Sequence, residues 1–182
     1  MANFGAGAPD CSHLSAEYHE TCWYAAYTTA HHEKRVAKQL VIRGVEHFLP
    51  LYSSVRRWKD RRVKLDLPLF PGYVFVRMEL RDRLCVLQLP GVARLVGFDG
   101  TPAALPAEEI ETLRTVLAEG VFAEPHAYLR TGRRVYVKAG PLAGMTGIVV
   151  RRKSGARFVV SMELIQRSIA VEMGEADLTA LR

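Results

Sequence analysis

Six bases, Arg56, Arg57, Lys59, Arg61, Arg62 and Lys64, stand against the single acid Asp60 in "VRRWKDRRVK", with Trp58 among them. Lys and Arg neutralise phosphates with a salt-dependent gain, and an indole ring stacks on an unpaired base. The stretch therefore points to nucleic-acid contact by Arg56, Arg57, Trp58, Arg61 and Arg62; a solvated charged turn is the competing reading. A second basic group, His31, His32, Lys34 and Arg35, falls at the start of a helical pattern. Cations there sit where the helix dipole favours anions, which costs local helix stability unless an anion arrives.

Other chemistry is poorly supported. Cys11, His13, His19 and Cys22 are ligand types within twelve residues, but their CxH and HxxC spacings do not match a compact zinc finger. No metal is expected, and the segment reads as a polar, flexible tail. Cys11, Cys22 and Cys85 form no CxxC pair and are odd in number, which argues against a disulfide framework. The chain has no Gly-rich phosphate loop and no GxSxG. Neighbouring side chains such as His31 and His32 stand about 100° apart on a helix and are poorly placed to share a ligand. No catalytic residue, cofactor or enzyme activity is expected.

The stretch "LPLFPGYVFVRM" poses a different problem. On an extended chain Phe70, Gly72, Val74 and Val76 share one side, and Pro71, Tyr73, Phe75 and Arg77 the other. Both sides are largely apolar and need a cover. The chain's own helices can supply one; what supplies the other is open.

The elements that must position these groups follow from periodicity. The 182 residues are 49% hydrophobic and 24% charged, enough for one large or two small domains with a buried core. No apolar run is long enough to span a membrane, and no signal peptide is recognisable, so a cytoplasmic location is expected. The net charge is +6; residues 1–22 carry three acids and no Lys or Arg, so the body of the chain is the basic part. A basic body favours anionic partners.

A strand is predicted from about Trp23 to Thr28. A helix follows through Val36, Ala37, Leu40 and Val41 and stops at Gly44. Next come a short strand ending at Pro50, a hairpin with its tip near Lys59–Asp60, the aromatic strand, a short helix in "ELRDRLCVLQL" and a strand in "GVARLVGF". In "LPAEEIETLRTVLAEG", Pro106 suits the first helical position, Glu108, Glu109 and Glu111 favour the positive end of the dipole, and Ile110, Leu113, Val116 and Leu117 make an apolar stripe ended by Gly120. This order argues for an α+β sandwich with an antiparallel sheet. Residues 121–129 contain Pro125, show no strong period and read as a linker. Beyond them "RRVYVK", "GIVVRR", "RFVVSMEL" and "RSIAVEM" read as the short strands of a small β-barrel. The expected division is a tail at 1–21, a first domain at 22–120, the linker and a barrel at 130–182.

"WYAAYT", the "HHEKRVAKQL" helix, "PLFPGYVFV" and "LPGVARLVGF" together resemble, in order, the N-terminal domain of the NusG transcription elongation factors. "GRRVYVKAGPLAGMTGIVV" resembles a KOW motif, with Gly140, Pro141, Gly144 and Gly147 in its G-P-x-x-G-x-x-G pattern. The resemblance covers about residues 23–180 and implies an SH3-like KOW barrel after the sandwich. It further implies that Tyr27, Phe70, Tyr73 and Phe75 form a cavity for the clamp helices of the β′ subunit of RNA polymerase. Aromatic rings suit that role, offering large contact area at low side-chain entropy. The expected second cover is thus another protein.

By the same resemblance the basic hairpin and the first helix start face the exposed non-template DNA strand. The stretch "RDRLC" at 81–85 would face the β subunit, although it does not reproduce the small polar residues of the RfaH-type factors. Leu142, Met145 and Ile165 replace aromatics at barrel positions that meet Rho or ribosomal protein S10. The chain reads as a monomeric, non-enzymatic factor that suppresses pausing and promotes antitermination, with a specialised RfaH/UpxY-like paralogue preferred to the housekeeping protein. Its barrel is expected to be stable rather than fold-switching. A ribosomal-type KOW protein that binds RNA is the alternative from a different class.

Overall fold

The structure is a computed structural model that describes residues 19–58, 61–126, 133–140, 142–144, 146–152, 155–172 and 178–180. Strand β1 (Thr21–Thr28) leads into helix α1 (Glu33–Ile42), followed by β2 (Glu46–Phe48) and the hairpin β3 (Leu51–Trp58) and β4 (Arg61–Pro68). The aromatic stretch forms β5 (Tyr73–Glu79), and a 3-10 turn (Leu80–Asp82) continues into the short helix α2 (Arg83–Leu87). Strands β6 (Val92–Leu95), β7 (Gly97–Phe98) and β8 (Thr101–Pro102) precede helix α3 (Ala107–Ala118). The remainder is β9 (Ala123–His126), β10 (Arg133–Val137), β11 (Thr146–Arg152), β12 (Gly155–Met162), β13 (Arg167–Glu172) and β14 (Leu178–Ala180).

Four strands form the central antiparallel sheet in the order β2-β5-β1-β6. Pairing across β1 and β5 sets Ala25 opposite Phe75 and Tyr27 opposite Tyr73, so these four share a face. The opposite face carries Tyr24, Ala26, Val74, Val76 and Met78. These pack with Val36 and Leu40 of α1 and with Val86 of α2 in one buried cluster. The spacing of Val36 and Leu40 by four positions is what brings both onto that cluster.

The Tyr73 face is closed differently. Ile110, Leu113 and Val116 of α3 pack over it together with Val135, Val137, Phe158, Val160, Met162 and Ile169 from the second, six-stranded sheet. That sheet runs β14-β10-β11-β12-β13-β9, with each strand antiparallel to its neighbours. The second cover expected from another protein is therefore supplied, in this arrangement, by the chain itself.

Three local readings need correction. Residues 123–126, read as linker, form edge strand β9, in which Pro125 pairs with Ile169. An edge position is where a missing N–H costs least. Residues 127–129 lie outside the described residues, as do the hairpin tip at 59–60 and residues 1–18 of the tail. Pro106 is the N-cap of α3 rather than its first helical residue. His31, placed at the helix start by the sequence pattern, has a left-handed φ of 63°, and α1 begins two residues later with His32 as its cap.

Among the described residues no helix is long and apolar enough to cross a membrane, and no group of three His, Cys, Asp or Glu could hold a metal ion. Cys11 and His13 lie outside the described residues.

Candidate docking face and its basic flanks

The four aromatic positions form one connected group with a graded exposure. Tyr27 is 37% exposed, Tyr73 9%, Phe70 1% and Phe75 0%. The Tyr27 and Tyr73 rings lie 5.4 Å apart at 57°, Phe70 meets Phe75 edge-on at 5.7 Å, and Phe48 stacks on Phe75 at 6.3 Å. Offset and edge-on pairs of this kind suit the ring quadrupoles. Phe75 is thus the floor of the group, Tyr73 and Phe70 its covered body, and Tyr27 its open rim.

A tight turn holds the rim. Gly72 adopts a φ of 86°, which is strained for any residue with a Cβ, and an added Cβ would meet Cε2 of Tyr27 at 3.3 Å. Its N–H donates to Oε1 of Glu33 at 2.7 Å, and its carbonyl accepts from the Thr28 N–H at 2.8 Å. Glu33 is only 5% exposed and lies in the first turn of α1. The anion that the basic helix start requires is thus already present in the chain, and it ties α1 to the aromatic turn. Sequence reasoning missed this residue; an acid between two His and two bases at a helix start was the available signal.

Cations flank the rings. The Arg94 guanidinium lies 5.5 Å from the Tyr27 centroid, and that of Arg167, from β13, 5.9 Å from Tyr73. The Tyr73 hydroxyl reaches towards the Ile165 carbonyl at 3.5 Å. At the other end Arg114 stacks over Trp23 and Phe48 and pairs with Glu46 and Glu111. Between Tyr27, Tyr52, Gly72 and Arg167 a cleft of about 310 Å³ remains open. Neither Arg94 nor Arg167 stood out in the sequence, because their partners lie far along the chain.

The basic residues are brought together only in part. Arg57, Arg61 and Arg62 are exposed on the β3–β4 hairpin, where Arg57 pairs with Arg62 and Trp58 with Arg61 across the two strands. Like-charged residues directly opposite destabilise a hairpin. The side chains of Arg56 and Trp58 lie outside the described residues. His31, Lys34 and Arg35 are exposed and His32 is half-buried near the α1 start. Of the C-terminal positions, Leu142 is 1% and Ile165 4% exposed, both within the cluster shared with Tyr73, and Met145 lies outside the described residues. Arg81 and Asp82 are exposed beside α2, with Arg81 paired to Glu79 at 2.7 Å.

An antiparallel sheet with helices on it, an aromatic turn beside it and a second antiparallel sheet define a mixed α/β protein. A family model described as transcription termination factor nusG matches residues 21–114. The chain is 30% identical over 166 residues to the transcription termination/antitermination protein NusG of Rickettsia prowazekii, covering 83% of this chain and 85% of that protein. It is 29% identical to the proteins of the same description from Pseudomonas aeruginosa and Deinococcus radiodurans, over 93% and 94% of their lengths and 83% of this chain in each case. A solved structure described as domain interaction in Thermotoga maritima NusG shares the fold, with a TM-score of 0.55 at 19% identity over 90% of this chain and 98% of that one. The chain belongs to the NusG family of transcription termination and antitermination proteins.

Proposed function

We propose that this chain is a transcription elongation factor that docks its Tyr27–Tyr73 face on the β′ clamp helices of RNA polymerase, holds the clamp closed and suppresses pausing. The observation that carries the reading is the open rim: Tyr27 is exposed beside an open cleft and continuous with buried rings. In this arrangement Ile165 and Arg167 lie over Tyr73. Full docking therefore requires the C-terminal sheet to move off, and the rim makes first contact. Phe75 supports the face from below and does not touch the partner.

The exposed Arg57, Arg61 and Arg62 would then meet the non-template DNA strand, adding a salt-dependent contribution. The C-terminal sheet is read as the KOW barrel, which binds Rho or ribosomal protein S10. Leu142 and Ile165 would become available to such a partner once the sheet is released.

The test is capture of the host RNA polymerase by the full chain after nuclease treatment. Wild type should retain polymerase. Tyr27→Ala should lose roughly thirtyfold in affinity if the ring is an anchor worth about 2 kcal/mol. A folded wild-type chain that retains no polymerase once nucleic acid is removed overturns the reading and favours an RNA-binding KOW protein.

A further inference from the structure

Where α3 faces the turn between β12 and β13, a cleft of about 690 Å³ separates the N-terminal part from the C-terminal sheet. Its apolar lining includes Leu105, Leu113 and Met162, and three carboxylates, Glu108, Glu109 and Glu163, stand around it. Among the described residues that line it there is no Lys, Arg or His. Glu163 is the titratable group that faces Glu109 from the C-terminal side, and Glu108 is its charged neighbour on α3. The lining from the segment before α3 and from residues 143–144 is uncharged, and Thr112 and Ser161 contribute only hydroxyls. Arg114, the only base of α3, is turned away to Glu46 and Glu111. The apolar surface of the seam thus favours closure while carboxylates from both of its sides line it, with no cation among the described lining residues.

We propose that Glu109 and Glu163 form a repulsive clasp that keeps the seam between α3 and the C-terminal sheet releasable. With both groups ionised the pair opposes closure, and neutralising either one tightens it. The environment of Glu109 agrees in direction: burial first, and the Glu163 charge second, push its carboxyl above the ordinary range. The sign follows. A carboxyl whose pKa is raised in the closed form favours closure at low pH, and that contribution is lost as pH rises through the raised value. This device belongs to the chain alone and is read without polymerase.

The experiment uses the full chain with the native cysteines replaced by Ser and dyes at Lys38→Cys and Tyr136→Cys. Energy transfer along a urea titration gives the closed-to-open ratio. Glu109→Gln and Glu163→Gln should each raise that ratio roughly two- to fivefold at pH 7, the range of a partly exposed charge pair. The double variant should gain little beyond Glu109→Gln, because removing the Glu109 charge already removes the repulsion. Glu163→Lys, which converts repulsion to attraction, should raise the ratio further than Glu163→Gln. Acidification should tighten wild type more than either Gln variant. Unchanged ratios in both Gln variants, or gains that simply add in the double variant, would overturn the clasp.

Discussion

On one face of the central sheet, Tyr24, Ala26, Val74, Val76 and Met78 lie under α1 and α2, helices drawn from the same stretch of chain as the strands they cover. On the other, Trp23, Ala25, Tyr73 and Phe75 lie under α3 and a second sheet whose strands come from the far end of the chain. The first face is aliphatic apart from Tyr24. The second is rich in rings, carries guanidinium groups from Arg94, Arg114 and Arg167, and ends in an exposed tyrosine. Apolar burial drives both closures. Only the second adds a charged cleft and a polar ring rim, features suited to a surface that exchanges one cover for another.

The sharpest way to break this contrast is at the floor of the second face. Phe75→Ala should cost about 3–5 kcal/mol, because a fully buried ring packed between Phe48 and Phe70 leaves a cavity. Urea denaturation reads the loss. A change below about 1 kcal/mol would mean that Phe75 is not closed core.

Next in size is the tie between the faces. Glu33→Ala removes the charged acceptor of the Gly72 N–H, and should cost about 1.5–3 kcal/mol in thermal or urea unfolding. An unaffected variant would show that α1 does not hold the aromatic turn. The smallest effect belongs to the cover. Arg167→Ala should remove about 0.5–1 kcal/mol of seam stability, the value of a partly exposed cation over a ring. A larger loss would mean that the second sheet is held chiefly through this one residue.

The helices that cover the two faces were legible from sequence. The spacing of Val36 and Leu40 and the stripe Ile110, Leu113 and Val116 mark helices by period alone, and the structure buries all five. The two-sided apolar character of β5 correctly demanded two covers. What covers the second side was not legible. It depends on pairings between Tyr73 and residues such as Ile165 and Arg167, far along the chain, and no local pattern encodes them. Strand β9 was missed because Pro125 argues against a strand unless the strand is an edge. Glu33 was hidden for a related reason: it looks like one more surface charge until the turn at Gly72 folds over it.

The most direct test of the docking face is a photoreactive phenylalanine in place of Tyr27, irradiated in complex with nuclease-treated polymerase. Crosslinks to the β′ clamp helices are expected, and they should be lost when excess unlabelled wild-type chain competes. Polymerase that is retained but does not crosslink to position 27, or does so only at another subunit, would contradict the docking face.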